Sequence, residues 1–127
     1  MAELLARSDF ITLHAALTSK TKALINASAI AQMKPGVRLI NTARGGLVDE
    51  AALVVGLRSG PIAAAALDVF ADEPLPANSP LLSMDNVVIT PHLAASTIEA
   101  QRDVSTQIIE QMLDALRQLD YRNAINM

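Results

Sequence analysis

Four short apolar runs recur along this 127-residue chain, each separated from the next by a segment with helical signals. They are Phe10-Ile11-Thr12-Leu13, Val37 to Asn41, Ala64 to Phe70, and Val87 to Thr90. β-Branched residues dominate the second and fourth, as buried strands prefer. The third is alanine-rich and has the propensity of a helix. Gly60-Pro61 before it and Glu73-Pro74 after it instead bound a short strand. Strands alternating with helices predict a parallel sheet with crossover connections. The expected fold class is α/β, with about four parallel strands, flanking helices and a long C-terminal helix.

The helical signals are specific. Glu3 to Ala6 reads as the last turn of a helix entering the first strand. Asn26 can cap a short helix that stops at Met33-Lys34-Pro35-Gly36, where Pro35 cannot continue it and Gly36 turns the chain. Asp49 can cap Glu50 to Ser59, closed by Gly60. Ser96-Thr97-Ile98-Glu99 fits a capping box opening a helix that runs to about Leu119. Val104, Ile108, Met112, Ala115 and Leu119 recur every three or four residues, so one face of that helix is apolar. Leu75 to Pro80 reads as a rigid surface loop.

Composition excludes several classes of function. Net charge is −3 with no run of like charges, and the aromatics are two Phe and one Tyr. Nucleic acid would find neither a basic patch nor stacking platforms. There is no cysteine, so disulfides and thiolate metal sites are excluded, and two histidines make a metal site improbable. No apolar stretch approaches the length of a membrane span. Met1 to Arg7 does not read as a signal peptide, because no apolar core of sufficient length follows a basic start. The expectation is a soluble, cytoplasmic protein.

If the runs are parallel strands, Arg44, Glu73 and His92 gather at the carboxyl edge of one sheet, where open α/β sheets bind ligands. An arginine fork reads a carboxylate bidentately. Gly45 and Gly46 let the backbone after it turn sharply and approach a ligand. His92, presented by Pro91, is a natural proton carrier near neutral pH. Glu73 is its candidate partner, since a carboxylate on the far ring nitrogen sets the tautomer. Taken singly, each has a blander reading as a surface arginine, a loop charge or a hydrogen-bonded loop histidine. Asp68 ends a strand in apolar surroundings, where a carboxylate is costly unless paired or exposed at a ligand edge, and it reads as ligand-facing. His14 ends the first strand in the same way. It reads either as a second site histidine or, preferably, as a structural one lining the cleft.

Taken in order, these stretches resemble the D-isomer-specific 2-hydroxyacid dehydrogenases, most nearly the phosphoglycerate dehydrogenases. The matching segments are Ser8 to His14, Met33 to Gly36, Ile40 to Glu50 with its Asn-Thr-Ala-Arg-Gly-Gly core, Ala66 to Phe70 with Glu73-Pro74, and Asn86 to His92. Ser96-Thr97 with Glu99-Ala100-Gln101, and Asn123-Ala124-Ile125-Asn126, also fit. The resemblance covers essentially the whole chain.

The resemblance implies a partial Rossmann-like fold. Residues 1–95 would be the second half of a nucleotide-binding domain, and 96–127 a crossover helix and tail. It implies a 2-hydroxy or 2-keto acid substrate, with NAD as cofactor and NADP also compatible. Arg44 would bind the substrate carboxylate and keto oxygen, and His92 would be the acid/base with Glu73 as partner. Asp68 would meet the nicotinamide carboxamide, with Thr42 and Ala43 beside the ring and His14 and Ala94 also on the cofactor side. Proline in the family is replaced by Ala16, and glycine by Ala64 and Ala94; an added methyl in a packed site typically costs about 1–3 kcal/mol.

None of the five glycines forms the Gly-x-Gly-x-x-Gly that cradles a dinucleotide diphosphate. By the resemblance, that fingerprint and the substrate domain would lie upstream of residue 1. The expectation is weak or no NADH binding by the isolated chain, because a helix amino-terminus is a major diphosphate anchor. The alternative expectation is a truncated, non-catalytic remnant acting as an oligomer or interaction module. An open apolar edge at Phe10 to Leu13 would invite pairing with a second copy or with a chain supplying the missing half.

Overall fold

The computed structural model describes residues 1–117 and 121. They fall into two compact units, one spanning Met1–His92 and the other beginning at Leu93.

The first unit carries the sheet. Helix α1 (Ala2–Arg7) leads into β1 (Phe10–Leu13), followed by α2 (Ala27–Ala31), β2 (Val37–Asn41), α3 (Glu50–Ser59), β3 (Ile62–Leu67) and β4 (Val87–Ile89). All pairings are parallel and the strand order is β1-β2-β3-β4. Asn26 caps α2 by accepting from the Ala29 amide, and Asp49 caps α3 by accepting from the Ala52 amide. Gly36 sits at φ 86°, a left-handed conformation that glycine adopts without steric cost, and its amide donates to the Pro61 carbonyl.

The alanine-rich segment is a strand because it pairs on both sides, between β2 and β4. Tertiary pairing thus overrides local helix propensity. Its bounds differ from the expected Ala64 to Phe70. It starts at Ile62, where a register shift at Val37/Arg38 lets an extra residue join, and it ends at Leu67. Beyond Leu67 the Phe70 amide donates to the Glu73 side chain instead of to a neighbouring strand. The fourth strand likewise stops at Ile89, although the Thr90 amide still reaches the Leu67 carbonyl.

One face of the sheet is closed. Ile11, Leu13, Val37, Leu39, Ile62, Ala65 and Leu67 join Ile25, Ile30, Leu47, Leu53 and Leu57 in a single core. The alternating residues are left outward: Phe10 is 61 % exposed and Val88 66 %. The Arg38 guanidinium lies 5.3 Å from the centre of the Phe10 ring. Parallel sheets are normally covered on both faces, so this outer face is unusual for its class.

In the second unit, α4 spans Ile98–Leu116, and none of its described residues is buried. Val104, Ile108 and Met112 share the expected apolar face and stand exposed. The expected capping box does not form. The Ser96 amide closes a turn onto the Leu93 carbonyl, so the extended cap position falls to Thr97, whose hydroxyl accepts from the Ala100 amide. Glu99 is thereby shifted one place from where it would reach back to its cap. Leu119 and Asn123 to Asn126 lie outside the described residues. Among those described, no helix is long and apolar enough to cross a membrane.

Candidate active site

The sheet register builds the site. Leu13, Asn41, Leu67 and Ile89 are paired in one row across the carboxyl edge. The residues that follow them are His14, Thr42, Asp68 and Thr90, so the edge presents two hydroxyls, an imidazole and a carboxylate. His14 is exposed, and its Nε2 lies 3.0 Å from the Thr12 hydroxyl. Asp68 is buried, at 5 % exposure, and its Oδ1 accepts from the Thr90 hydroxyl at 2.5 Å. The carboxylate expected to face a ligand is therefore paired within the chain.

Asn41, buried to 1 % exposure, shapes the turn after β2. Its Oδ1 accepts from the Ala43 amide at 3.1 Å and its Nδ2 donates to the Arg44 carbonyl at 3.0 Å. This clamp holds Thr42, Ala43 and Arg44 in one conformation, with Thr42 and Arg44 exposed. The Arg44 Nη1 donates to the Ala43 carbonyl at 2.6 Å. In the sequence Asn41 stands out only as a strand end and as the first residue of the Asn-Thr-Ala-Arg-Gly-Gly motif, with no role of its own. Its signal was an amide side chain placed two residues before a backbone that must turn.

Gly45 brings this turn against the loop after β3, with its α-carbon packed on the Phe70 peptide. In that loop the Phe70 amide donates to Glu73 Oε1 at 3.0 Å, and Glu73 Oε2 lies 2.7 Å from His92 Nδ1. Both side chains are partly open, at 36 % for Glu73 and 45 % for His92. The Glu73 carboxyl is held below its ordinary pKa, first by the His92 hydrogen bond and then by the Phe70 amide; desolvation and the Asp68 charge oppose this. His92 has φ 54°, a left-handed backbone that costs a side-chain-bearing residue roughly 1–2 kcal/mol. Strain of this kind persists where the surroundings over-determine it, and it is often found at functional positions.

The structure thus joins Glu73 and His92 directly. They line a hollow of about 530 Å³ together with Phe70, Leu75, Ile89 and Pro91. Arg44 lines a different hollow, of about 660 Å³, with His14, Ala15, Leu17 and Ala43. The two hollows belong to loops that touch at Gly45 and Phe70. Ala94 lies in the second unit and is exposed. Among the described residues no group of three His, Cys, Asp or Glu side chains is arranged to hold a metal ion.

The edge has room for part of a dinucleotide. The alanines at 15, 16 and 43 leave room for a flat ring, and the exposed Thr42 hydroxyl offers a polar contact.

Residues 1–94 match the family model described as "D-isomer specific 2-hydroxyacid dehydrogenase, NAD binding domain". The chain is 50 % identical over 124 residues to a D-3-phosphoglycerate dehydrogenase of Archaeoglobus fulgidus, covering 98 % of this chain and 24 % of that protein. It is 51 % identical over 125 residues to one from Methanocaldococcus jannaschii, with the same coverage. It spans about a quarter of the length of these relatives. Among solved structures it resembles a D-isomer specific 2-hydroxyacid dehydrogenase of Xanthobacter autotrophicus in complex with NADPH and MES. There the TM-score is 0.86 at 45 % identity, covering 96 % of this chain and 50 % of that one. The NAD-complexed enzyme of Lactobacillus delbrueckii gives a TM-score of 0.88 at 31 % identity, covering 98 % and 42 %.

Proposed function

Since this chain belongs to the D-isomer-specific 2-hydroxyacid dehydrogenase family, we propose that it forms the nicotinamide-facing, acid–base half of an NAD-dependent enzyme acting on a 2-hydroxy or 2-keto acid. The observation that carries this reading is the 2.7 Å contact between Glu73 Oε2 and His92 Nδ1. With Nδ1 engaged, Nε2 is the nitrogen left for proton transfer, and the carboxylate fixes tautomer and ring orientation. Bound NAD would supply hydride-accepting chemistry. As the 2-hydroxy acid is oxidised, His92 Nε2 takes the hydroxyl proton, and in reduction it returns that proton to the keto oxygen. Arg44 holds the substrate carboxylate and polarises the keto group. Thr42, Ala43 and His14 contribute to the nicotinamide side, and Asp68, held by the Thr90 hydroxyl, faces the carboxamide. The preferred substrate is of the phosphoglycerate type, in keeping with the relatives' names. The reading includes a cytoplasmic location and assembly either as a homo-oligomer, such as a dimer, or with a chain supplying the missing half.

The test is a chimera in which these residues replace the matching segment of the Archaeoglobus fulgidus enzyme. The expected result is NADH formation from 3-phosphoglycerate. A folded chimera without activity would overturn the proposal. The 127 residues alone should bind NADH weakly or not at all, and a low-micromolar dissociation constant by calorimetry would contradict that.

A second reading is a non-catalytic interaction module. The outward residues Phe10 and Val88 and the exposed apolar face of α4 favour it. It requires self-association or a partner chain, and a stable monomer in light scattering at high concentration would count against it.

A further inference from the structure

We infer that Glu50 is a positioning residue for the Glu73–His92 pair: from the first turn of α3, its carboxylate holds the loop that presents Glu73. The inference rests on the reading of that pair as the acid–base group.

Glu50 is the first residue of α3, yet its side chain bonds outside its own helix. Asp49 already caps α3 through the Ala52 amide at 3.1 Å. The Glu50 Oε1 instead accepts from the Ala71 amide at 2.6 Å, across 21 positions of sequence. The neighbouring Phe70 amide donates to Glu73 Oε1. Two consecutive amides of one loop are therefore taken by two carboxylates, one from the helix and one from the pair. Glu73 is partly open, so its direction is set less by packing than by the loop that carries it. A side-chain oxygen of full reach accepting from a backbone amide ties the loop to the helix start. The Gly45–Phe70 contact fixes the same loop from the other side. Together these hold Glu73 where its second oxygen meets His92.

The competing role for Glu50 is generic, an acidic side chain favoured at a helix amino-terminus. Two conservative variants of the 127-residue chain separate the two roles. Glu50→Asp keeps the charge at the helix start but shortens the reach by about 1.5 Å, one C–C bond. Glu50→Gln keeps an acceptor oxygen at full reach and removes the charge. The readouts are amide exchange at Ala71 and the Glu73 carboxyl titration by NMR, with His92 and Asp68 as the charged groups acting on Glu73.

For Glu50→Asp, Ala71 exchange should speed up about tenfold, the loss of one hydrogen bond. The Glu73 midpoint should rise toward the ordinary carboxylate value. Glu50→Gln should leave the Glu73 midpoint near wild type. A Glu50→Asp protein with an unchanged Glu73 midpoint overturns the inference, whatever Ala71 does. So does a Glu50→Gln protein that shifts as Glu50→Asp was expected to. A wild-type Glu73 midpoint at the ordinary value overturns the pair's geometry as well, whereas an inactive chimera with the expected Glu50 results overturns only the enzymatic reading.

Discussion

A side-chain carbon built on Gly45 would sit 1.9 Å from both the carbonyl carbon and the carbonyl oxygen of Phe70. Only a glycine lets the turn carrying Arg44 touch the loop carrying Glu73. The neighbouring Gly46 is less constrained, since its nearest atoms belong to the Leu17 side chain, which can move.

Gly45→Ala should therefore push the two loops apart. The expected loss is at least about 1–3 kcal/mol, as for overpacking in a close-packed interior. Urea denaturation should show a lower midpoint with an unchanged slope. An unchanged midpoint would mean that the two backbones are not in contact.

Asn41→Ala removes a buried amide that serves both Ala43 and Arg44. The expected destabilisation is about 1–3 kcal/mol, because two backbone groups lose their partner. Exchange at the Ala43 amide should accelerate in parallel. If stability falls while Ala43 exchange stays slow, the clamp is not what Asn41 contributes.

Glu73 gives a pH signature with a definite sign. Its pKa is lowered in the folded chain, so its stabilising contribution is complete above the unfolded-state value. That contribution is lost as pH falls through the folded-state value. Stability measured from neutral pH downward should fall on this acid limb, and His92→Asn should flatten it, since the largest cause of the shift is the His92 hydrogen bond. A limb of equal steepness in both proteins would remove Glu73 as its source.

In the chimera, the two proposed substrate-handling residues should separate kinetically. Asn tolerates the left-handed backbone at position 92, so His92→Asn removes the proton carrier without adding strain. The expected fall in kcat is about 10²–10⁴-fold. Arg44→Lys keeps the charge but loses the bidentate fork. It should lower kcat/KM about ten- to a hundredfold, mostly through KM, in line with charged hydrogen bonds worth about 1.5–3 kcal/mol. Steady-state kinetics on both variants checks the split, and an Arg44→Lys enzyme with wild-type KM would remove Arg44 from carboxylate binding.

Strand and cap positions were the most legible part of the chain. β1 and β2 occupy the predicted residues, and Asn26 and Asp49 cap the helices expected of them. The reason is local: β-branched runs and side-chain caps act within a few residues. The bounds of β3 were less legible, because they depend on how far its neighbours extend and on the register shift beside Val37. The cap of α4 moved from Ser96 to Thr97 because a turn from Leu93 had already claimed the Ser96 amide. In the site, residue types and spacing pointed to Glu73 and His92. They did not point to Asn41 or Glu50, whose partners are set by backbone groups that no pattern of side chains reveals.

By itself the sequence determined the alternation of strands and helices, the parallel sheet and the set of residues at its carboxyl edge. These follow from hydrophobic periodicity and capping chemistry, which are properties of short segments. Tertiary structure decided which of those residues meet, the Glu73–His92 pairing being the one contact that the residue types already suggested. It bonded Glu73 to His92, paired Asp68 with Thr90, and set Arg44 in its own hollow beside His14. The deciding physics is non-local, in sheet register, a glycine-sized gap against Phe70, and amides that take their acceptors from distant parts of the chain.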